Sequence, residues 1–280
     1  MLVHHLGEVP ESLPVTEETR ERLRAQANQL PEATVLRLCD LLAVAAELEA
    51  AVARLGLPSV LKTTRLGYDG KGQAQVHDRE SLAAAWNSFD RAPCVLEARL
   101  ALDGEISVVL ARGLDGGIAS FPVIENHHRG GILDTSVVPA RVNSELAERA
   151  RHQAFRIAEA LGYVGVLAVE FFICAGELMV NELAPRPHNS GHFSLDACDI
   201  SQFEQQVRAM ARMPLGATNL LLPTVMLNIL GDEWYVDGSI TEPPWHKITA
   251  SPYAKLHLYG KSEPRRGRKM GHINFIAPSQ

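Results

Sequence analysis

The sequence has little of what three common protein classes require. Its 280 residues include only four cysteines and no Cys-x-x-Cys pair, which argues against a zinc ribbon or a dense disulfide framework. No apolar run approaches the roughly 20 residues that a membrane span needs. Acidic residues outnumber basic ones, 33 to 27, so the net charge of −6 does not attract nucleic acid or an anionic membrane. We therefore expect neither as a partner.

The first ten residues also lack the basic and apolar regions of a secretory signal, and we expect a cytoplasmic protein. What is present, 46% hydrophobic and 21% charged residues, is typical of a globular protein. The length corresponds to one large domain or two packed lobes.

Hydrophobic periodicity and turn residues predict a mixture of helices and hairpin-connected strands. Two helices are predicted between Glu17 and Leu55, broken at Pro31, because Leu38, Leu41 and Leu42 continue a helical spacing. Further helices are expected at 79–89, 143–161 and 201–213, and strands at 59–63, 73–77, 94–100, 105–112, 118–125, 165–174 and 177–183, before a β-rich tail. This pattern favours an α+β fold with antiparallel sheets over a doubly wound parallel sheet.

A glycine-rich loop, Gly67 to Gly72, follows the predicted strand that carries Lys62. Its three glycines allow the backbone to approach a phosphate closely, and Lys62 adds a fixed positive charge. An ordinary turn explains the Asp-Gly pair equally well. The loop matches neither the Walker A pattern nor the dinucleotide-binding fingerprint.

Two glutamates, Glu170 and Glu182, lie on neighbouring predicted strands around Ala175-Gly176. A three-residue loop would put both on one face of the sheet. Paired carboxylates suit Mg²⁺, which is normally held by one or two carboxylates plus substrate phosphates. The alternative is a pair of solvated glutamates, but the strand around Glu170 is too apolar to favour it.

The loop from Arg186 to His192 concentrates polar side chains directly after the second glutamate strand, where function is often found. The basic cluster from Lys261 to Lys269 is a local anion patch in an acidic protein. A small-molecule phosphate suits it better than nucleic acid, because no stacking aromatic residues are interleaved with it. A solvated basic turn is the simpler alternative.

Three stretches, GYDGKGQ, NELAPRPHNSGH and GRKMGH, resemble the ATP-grasp enzymes of purine biosynthesis known as the 5-(carboxyamino)imidazole ribonucleotide synthetase family. The resemblance covers about Leu48 to Ala277 and implies two α+β lobes with antiparallel sheets. It divides the chain into an atypical helical N-terminal segment (1–32), a small lobe with a glycine-rich lid loop (33–98), a large lobe with the Mg²⁺ and ATP site (99–215), and a β-rich part with a basic tail (216–280). The Rossmann-like domain that usually opens the family is expected to be missing, since nothing before Pro31 resembles it.

The resemblance also implies an activity. The γ-phosphate of ATP would pass to bicarbonate, and carboxyphosphate would then carboxylate the amine of aminoimidazole ribonucleotide, with Mg²⁺ or Mn²⁺ as the metal. A homodimer is implied as well. Two alternatives stay open: a truncated module that binds Mg-ATP without full catalysis or needs a partner chain, and, less in keeping with the motifs, an ATP-grasp carboxylase of the biotin-dependent type.

Residue roles implied by the resemblance fall into four groups. Lys71, Arg186, His188 and His192 would be catalytic. Lys62, Gly67, Asp69, Glu97, Glu105 and Asn181 would bind ATP. Tyr68, Asp69, Asn189, Lys261 and Arg268 would bind the ribonucleotide, the last two through its phosphate. Glu170 and Glu182 would hold the metal.

Overall fold

The computed structural model describes residues 39–42, 45–64 and 72–277. These residues divide between Leu102 and Asp103 into two compact units, each with its own sheet. The predicted helical segment 1–32 lies outside the described residues.

In the first unit, four strands form an antiparallel sheet in the order β1-β4-β2-β3. Its elements are β1 (Cys39–Leu42), α1 (Ala45–Leu55), β2 (Ser59–Thr63), β3 (Gln73–Val76), α2 (Arg79–Ser88) and β4 (Cys94–Ala98). The core contains Leu61, Leu82 and Trp86. Helix α2 begins where Asp78 accepts a hydrogen bond from the backbone of Ser81, which satisfies a free N–H of the first turn.

The prediction of a helix through residues 39–42 is wrong. Cys39–Leu42 is a strand that pairs with β4, and the helix begins only at Ala45. A short apolar run fits a helix and a buried strand alike. Residues 39–42 form a strand because they pair with the edge of β4, which lies more than 50 residues away in the sequence.

In the second unit, nine strands form one antiparallel sheet across residues 104–276. Its strands are β5 (Gly104–Arg112), β6 (Ile118–Ser120), β7 (Ile124–Arg129), β8 (Ile132–Val138), β9 (Gly165–Cys174), β10 (Glu177–Ala184), β11 (Thr224–Leu230), β14 (Ala254–Leu258) and β15 (Lys269–Ile276), with a separate small hairpin of β12 (Tyr235–Val236) and β13 (Ser239–Ile240). Eight strands run in the order β10-β9-β5-β7-β8-β11-β15-β14, and β6 pairs with β5.

The helices of this unit are α3 (Ser144–Ala160), α4 (Ser194–Ala197), α5 (Gln202–Met210) and α6 (Trp245–Thr249), with 3₁₀ turns at Asn189–Phe193 and Gly231–Trp234. Helices α3 and α5 contact β5 and β9. Asn143 accepts a hydrogen bond from Leu146 N at 2.8 Å and so begins α3 within one residue of its predicted start. A buried apolar cluster that includes Val109, Phe121 and Phe193 forms a core of the unit.

Strand β8 is absent from the sequence-based prediction. It forms a hairpin with β7 through Gly130 and Gly131, whose φ angles are 60° and 79°. A two-residue turn of this kind requires positive φ at both positions, and Gly-Gly supplies it without steric cost. The Gly130-Gly131 pair was therefore the signal in the sequence that indicates this hairpin.

The register places polar side chains together on one face of the large sheet. Ser107 lies opposite Glu170, Glu105 opposite Asn126, and Asn126 opposite Ser136. Side chains that are direct cross-strand partners point to the same side, so this face is polar across at least four strands.

The α+β class with antiparallel sheets is confirmed, because every strand pair in the two described sheets is antiparallel. The predicted segments 99–215 and 216–280 contribute strands to the same sheet. The fourfold division of the chain stays a prediction. Within the described part, no helix has the length and apolar character to cross a membrane.

Candidate active site

The hairpin of β9 and β10 brings the two predicted metal ligands together by a route that differs from the prediction. Its loop has two residues, Ala175 and Gly176, with φ of 51° and 77°. From Cys174 opposite Glu177, a regular register would place Glu170 opposite residue 181. A bulge between Val180 and Glu182 inserts one residue and makes Glu182 the partner of Glu170.

The inserted residue, Asn181, also contributes to the site, since its Nδ2 donates to Glu170 Oε2 at 3.4 Å. Glu170 is largely buried, with 13% of its side chain exposed, whereas Glu182 is exposed. Burial is the main reason that the pKa of Glu170 is raised; the charge of His128 opposes the shift, and the charges of Glu182 and Glu105 add to it. The pair therefore attracts a cation.

A third acid on the same face is Glu105, near the start of β5. Its Oε2 lies 2.7 Å from Nδ1 of His128 on β7. Burial acts to lower the pKa of His128, but the nearby carboxylate of Glu105, with the charge of Glu170, raises it overall. His128 was not among the predicted site residues. In the sequence, His128 is only the second residue of a His-His pair. Its contact with Glu105 becomes visible only when β7 is paired with β5.

The loop after β10 is held by Gln202 of α5. Its side chain accepts from His188 N at 2.8 Å and donates to His188 O at 2.7 Å. A Cβ on Gly191 would lie 2.5 Å from Gln202 Oε1, so any larger residue there would displace the Gln202 side chain. His188 Nε2 then lies 3.3 Å from Glu170 Oε1, and burial lowers the pKa of His188 to about 3.

The other predicted residues of this loop have different partners. Asn189 donates to Asn228 Oδ1 at 3.0 Å, and Arg186 donates to the carbonyl of Pro187 at 3.1 Å. His192 Nδ1 lies 3.0 Å from Gln202 Nε2, and burial lowers its pKa to about 4. Both loop histidines are therefore neutral at pH 7.

His192 packs against a group of aromatic rings that the sequence analysis did not find. Its ring centroid lies 4.8 Å from that of His272 on β15, which stacks at 4.5 Å on His257 of β14. His272 Nδ1 is 2.9 Å from the hydroxyl of Tyr259, and burial lowers its pKa to about 3. The signal was the last residue of the GRKMGH stretch, His272, to which the sequence analysis gave no role.

The basic cluster is a turn held by the 3₁₀ segment before it. Asp232 accepts from Gly267 N at 2.6 Å, and a Cβ on Gly231 would lie 2.2 Å from Arg265 O. The two predicted phosphate ligands make backbone contacts, Lys261 Nζ with Lys269 O at 2.5 Å and Arg268 with Glu263 O at 2.9 Å. The positive charge of Lys269 contributes to the lowered pKa values of His188 and His192.

In the first unit, two of the predicted ATP-binding residues contact each other. Lys62 Nζ lies 2.5 Å from Glu97 Oε2, and both side chains are about one-fifth exposed, at 22% and 20%. Four predicted residues, Gly67, Tyr68, Asp69 and Lys71, lie outside the described residues.

The donor set fits Mg²⁺ better than a transition metal. Two carboxylates and the nearby amide oxygen of Asn181 are hard oxygen ligands, which Mg²⁺ prefers. No group of three or more His, Cys, Asp or Glu side chains in the described part could enclose a metal ion. Two protein carboxylates leave positions for phosphates and water, as in many nucleotide sites.

Comparison with known proteins gives the family. The ATP-grasp domain matches residues 25–203, almost two thirds of the chain. The chain belongs to the ATP-grasp family. The phosphoribosylaminoimidazole carboxylase C-terminal domain matches residues 224–280, beyond the ATP-grasp match that ends at residue 203. The predicted family is thus confirmed, and the polar face of the large sheet lies within these two matches.

Two curated relatives of this ATP-grasp chain carry the same name. It is 47% identical over 231 residues to the N5-carboxyaminoimidazole ribonucleotide synthase of Bacillus subtilis, a match covering 82% of this chain and 59% of the relative. The enzyme of that name from Brucella melitensis is 46% identical, with 82% and 62% covered. The chain therefore spans about 60% of the length of the curated relatives it matches.

Solved structures agree with the ATP-grasp fold. An N5-carboxyaminoimidazole ribonucleotide synthetase in complex with ADP superimposes with a TM-score of 0.80 at 43% identity, covering 93% of this chain and 66% of that one. The Aspergillus clavatus synthase in complex with ADP and 5-aminoimidazole ribonucleotide gives 0.78 at 28% identity, with 93% and 67% covered.

Proposed function

We propose that this ATP-grasp chain takes part in the carboxylation of 5-aminoimidazole ribonucleotide with bicarbonate and ATP. The γ-phosphate of ATP passes to bicarbonate, and the carboxyl of the resulting carboxyphosphate passes to the amine of the ribonucleotide, releasing phosphate. The observation that carries the proposal is the Glu170–Glu182 pair, set beside His188 by the bulge at Asn181. The relatives' names and the nucleotide bound in the Aspergillus structure support the choice of substrates.

Glu170 and Glu182, with Asn181 beside them, would hold Mg²⁺ or Mn²⁺. A bound divalent cation neutralises charge on the phosphates during phosphoryl transfer. The support is chemical: an exposed and a buried carboxylate face each other, and their mutual repulsion needs a cation. Glu105, Lys62 and Glu97, together with Gly67 and Asp69, are the proposed ATP-binding residues.

Arg186, His188 and His192, with Lys71, are the proposed catalytic residues. Because His188 and His192 are neutral at pH 7, they act through directed hydrogen bonds and not as cations. Arg186 supplies the positive charge of this loop and suits an anionic carboxyphosphate. So labile an intermediate also requires that water be excluded during the reaction.

The ribonucleotide would contact Asn189, Tyr68 and Asp69, and its phosphate would bind Lys261 and Arg268. Both cations belong to the turn that Gly231 and Asp232 contact, so these contacts help to fix the positions of the two side chains. We also propose the fourfold division at 32, 98 and 215, the cytoplasmic location and the homodimer.

The test is ADP release by the purified 280-residue chain with bicarbonate, with and without 5-aminoimidazole ribonucleotide. Stimulation by the ribonucleotide is expected, and Arg268→Ala should raise its KM by about 10- to 100-fold, since a charge-assisted hydrogen bond contributes about 1.5–3 kcal/mol. The KM for ATP should not change. Arg151→Ala, which removes a surface arginine paired with Glu148 on α3, is the matched control.

Two results would contradict the proposal. Mg-ATP hydrolysis or binding that the ribonucleotide never stimulates would contradict the assigned substrate. A higher KM for ATP in Arg268→Ala, with the ribonucleotide KM unchanged, would contradict the assignment of the basic turn.

A further inference from the structure

A line of buried hydrogen bonds crosses the polar face of the large sheet and ends at His188, whose Nε2 lies close to Glu170. We call it the serine network; its members in order are Ser136, Asn126, Ser107, Ser190 and His188. Successive donor–acceptor distances are 2.8, 2.9, 2.9 and 2.9 Å, and the final contact from His188 Nε2 to Glu170 Oε1 is 3.3 Å. The three serines are fully buried and Asn126 is 3% exposed.

The position of the proton on His188 follows from what surrounds its Nδ1 atom. The hydroxyl of Ser190 lies 2.9 Å away, and the backbone N–H of Ser190 points at the same atom with an N···N distance of 3.3 Å. A backbone N–H only donates, so Nδ1 must present a lone pair. Nδ1 therefore carries no proton, and the ring proton of His188 is on Nε2, which faces the carboxylate of Glu170.

The remaining bonds then have one direction. The hydroxyl of Ser190 gives its only hydrogen to His188, so it accepts from Ser107, and Ser107 in turn accepts from the amide group of Asn126. The amide oxygen of Asn126 is left to accept from Ser136. The opposite direction would put a proton on Nδ1 against the N–H of Ser190 and a bare nitrogen against the carboxylate, two repulsive contacts.

We propose that Ser107, Asn126, Ser136 and Ser190 are positioning residues, which hold His188 as the Nε2–H tautomer so that its ring donates to Glu170 and orients that carboxylate beside Glu182. The catalytic consequence rests on the proposed function, whereas the tautomer does not. Donors behind a metal-binding carboxylate commonly set its orientation, and their loss costs about 10- to 100-fold in metal affinity or activity.

The tautomer can be read directly by long-range ¹H–¹⁵N correlation spectra of the histidine-labelled chain at neutral pH, with His188→Gln identifying the signals. We expect Nδ1 without a proton and Nε2 with one. In Ser190→Ala, which removes the closer donor, the Nδ1-protonated form should become detectable. A wild-type spectrum with the proton on Nδ1, or an equal mixture, overturns the proposal even if the chain proves inactive.

The positioning role is tested by activity and by Mg²⁺ titration. Ser190→Ala should lower kcat or Mg²⁺ affinity about 10- to 100-fold, and Ser190→Thr, which keeps the hydroxyl, should recover most of the loss. Ser194→Ala is the control: its hydroxyl is equally buried but bonds Gly191 O and Gln202 N, outside the serine network.

Thermal denaturation of each variant separates loss of fold from loss of position. A folded Ser190→Ala chain with unchanged kcat and Mg²⁺ affinity overturns the positioning role. An equal loss of kcat and of Mg²⁺ affinity in Ser194→Ala also overturns the positioning role, because it would mean that any buried hydroxyl in this region has the same effect. If Ser190→Ala does not fold, Ser136→Ala at the far end of the network replaces it and should show a smaller loss of the same kind.

Discussion

Replacing Glu182 by glutamine should stabilise the protein without ligand and destabilise its complex with Mg-nucleotide. Glu182 lies directly opposite Glu170, and its charge raises the pKa of that buried carboxyl. Within the described part of the chain, the side chain of Glu182 has no hydrogen bond or ion pair to lose. The substitution therefore removes a repulsion and nothing that holds the fold together.

The magnitudes follow from the pairing. Like charges directly opposite in an antiparallel pair destabilise by about 0.2–1 kcal/mol, which is the expected gain in the free energy of unfolding. For a chain of this size, a gain of 1 kcal/mol raises Tm by about 2–4 °C. A saturating ligand at 100 times its Kd stabilises the native state by about 2.7 kcal/mol, and each tenfold loss of affinity removes about 1.4 kcal/mol of that.

The assay is thermal denaturation of Glu182→Gln and the parent chain, with and without Mg-ADP, supported by calorimetric titration. We expect the order of Tm values to reverse when Mg-ADP is added. A lower Tm for the ligand-free variant would refute the repulsion between the two carboxylates. An undiminished shift with Mg-ADP would refute the metal assignment.

Glu177→Gln is the matched control on the same strand. Glu177 is 67% exposed and paired with Arg149, so its loss should cost less than about 1 kcal/mol and leave the Mg-ADP shift unchanged.

Two further predictions concern stability. Gly231→Ala should destabilise by about 1–3 kcal/mol in urea denaturation, because its Cβ would lie 2.2 Å from the backbone oxygen of Arg265; an unchanged midpoint would contradict the close approach. Hydrogen bonds from Arg141 lower the pKa of Glu125 to about 2, so the carboxylate stabilises the native state above its ordinary pKa of 4.5 and loses that effect as pH falls towards 2. Glu125→Gln should therefore cost about 1 kcal/mol at pH 7 and almost nothing at pH 2, and a pH-independent cost would contradict the assignment.

Much of the fold was predictable because it depends on local signals. Asn143 and Gly162 bound the predicted helix α3, and alternating apolar residues with turn dipeptides marked most strands. Strand β1 was not predictable, since its short apolar segment forms a strand only through pairing with the distant β4. The Gly-Gly hairpin of β7 and β8 carried a usable signal that was missed.

The residues of the candidate site also fall into two groups, those that local sequence signals reveal and those that only strand pairing brings together. Glu182 and the loop of Arg186 to His192 could be found from the sequence because they share one continuous motif, and Glu170 because it is a single acid in an apolar strand. His128 and the serine network could not, because each of their members is an ordinary polar residue on its own strand. Only the register of β5, β7, β8 and β9 brings them together.

The sequence by itself determined the family, the α+β class and the two glutamates, since these depend on residue types at short spacings. The tertiary structure decided how the glutamates meet. The predicted three-residue loop is a two-residue turn, and Glu182 faces Glu170 only because Asn181 bulges out of the ladder. A shift of one residue in the strand register moves a side chain to the opposite face of the sheet, and the register is set by hydrogen bonds between distant parts of the chain.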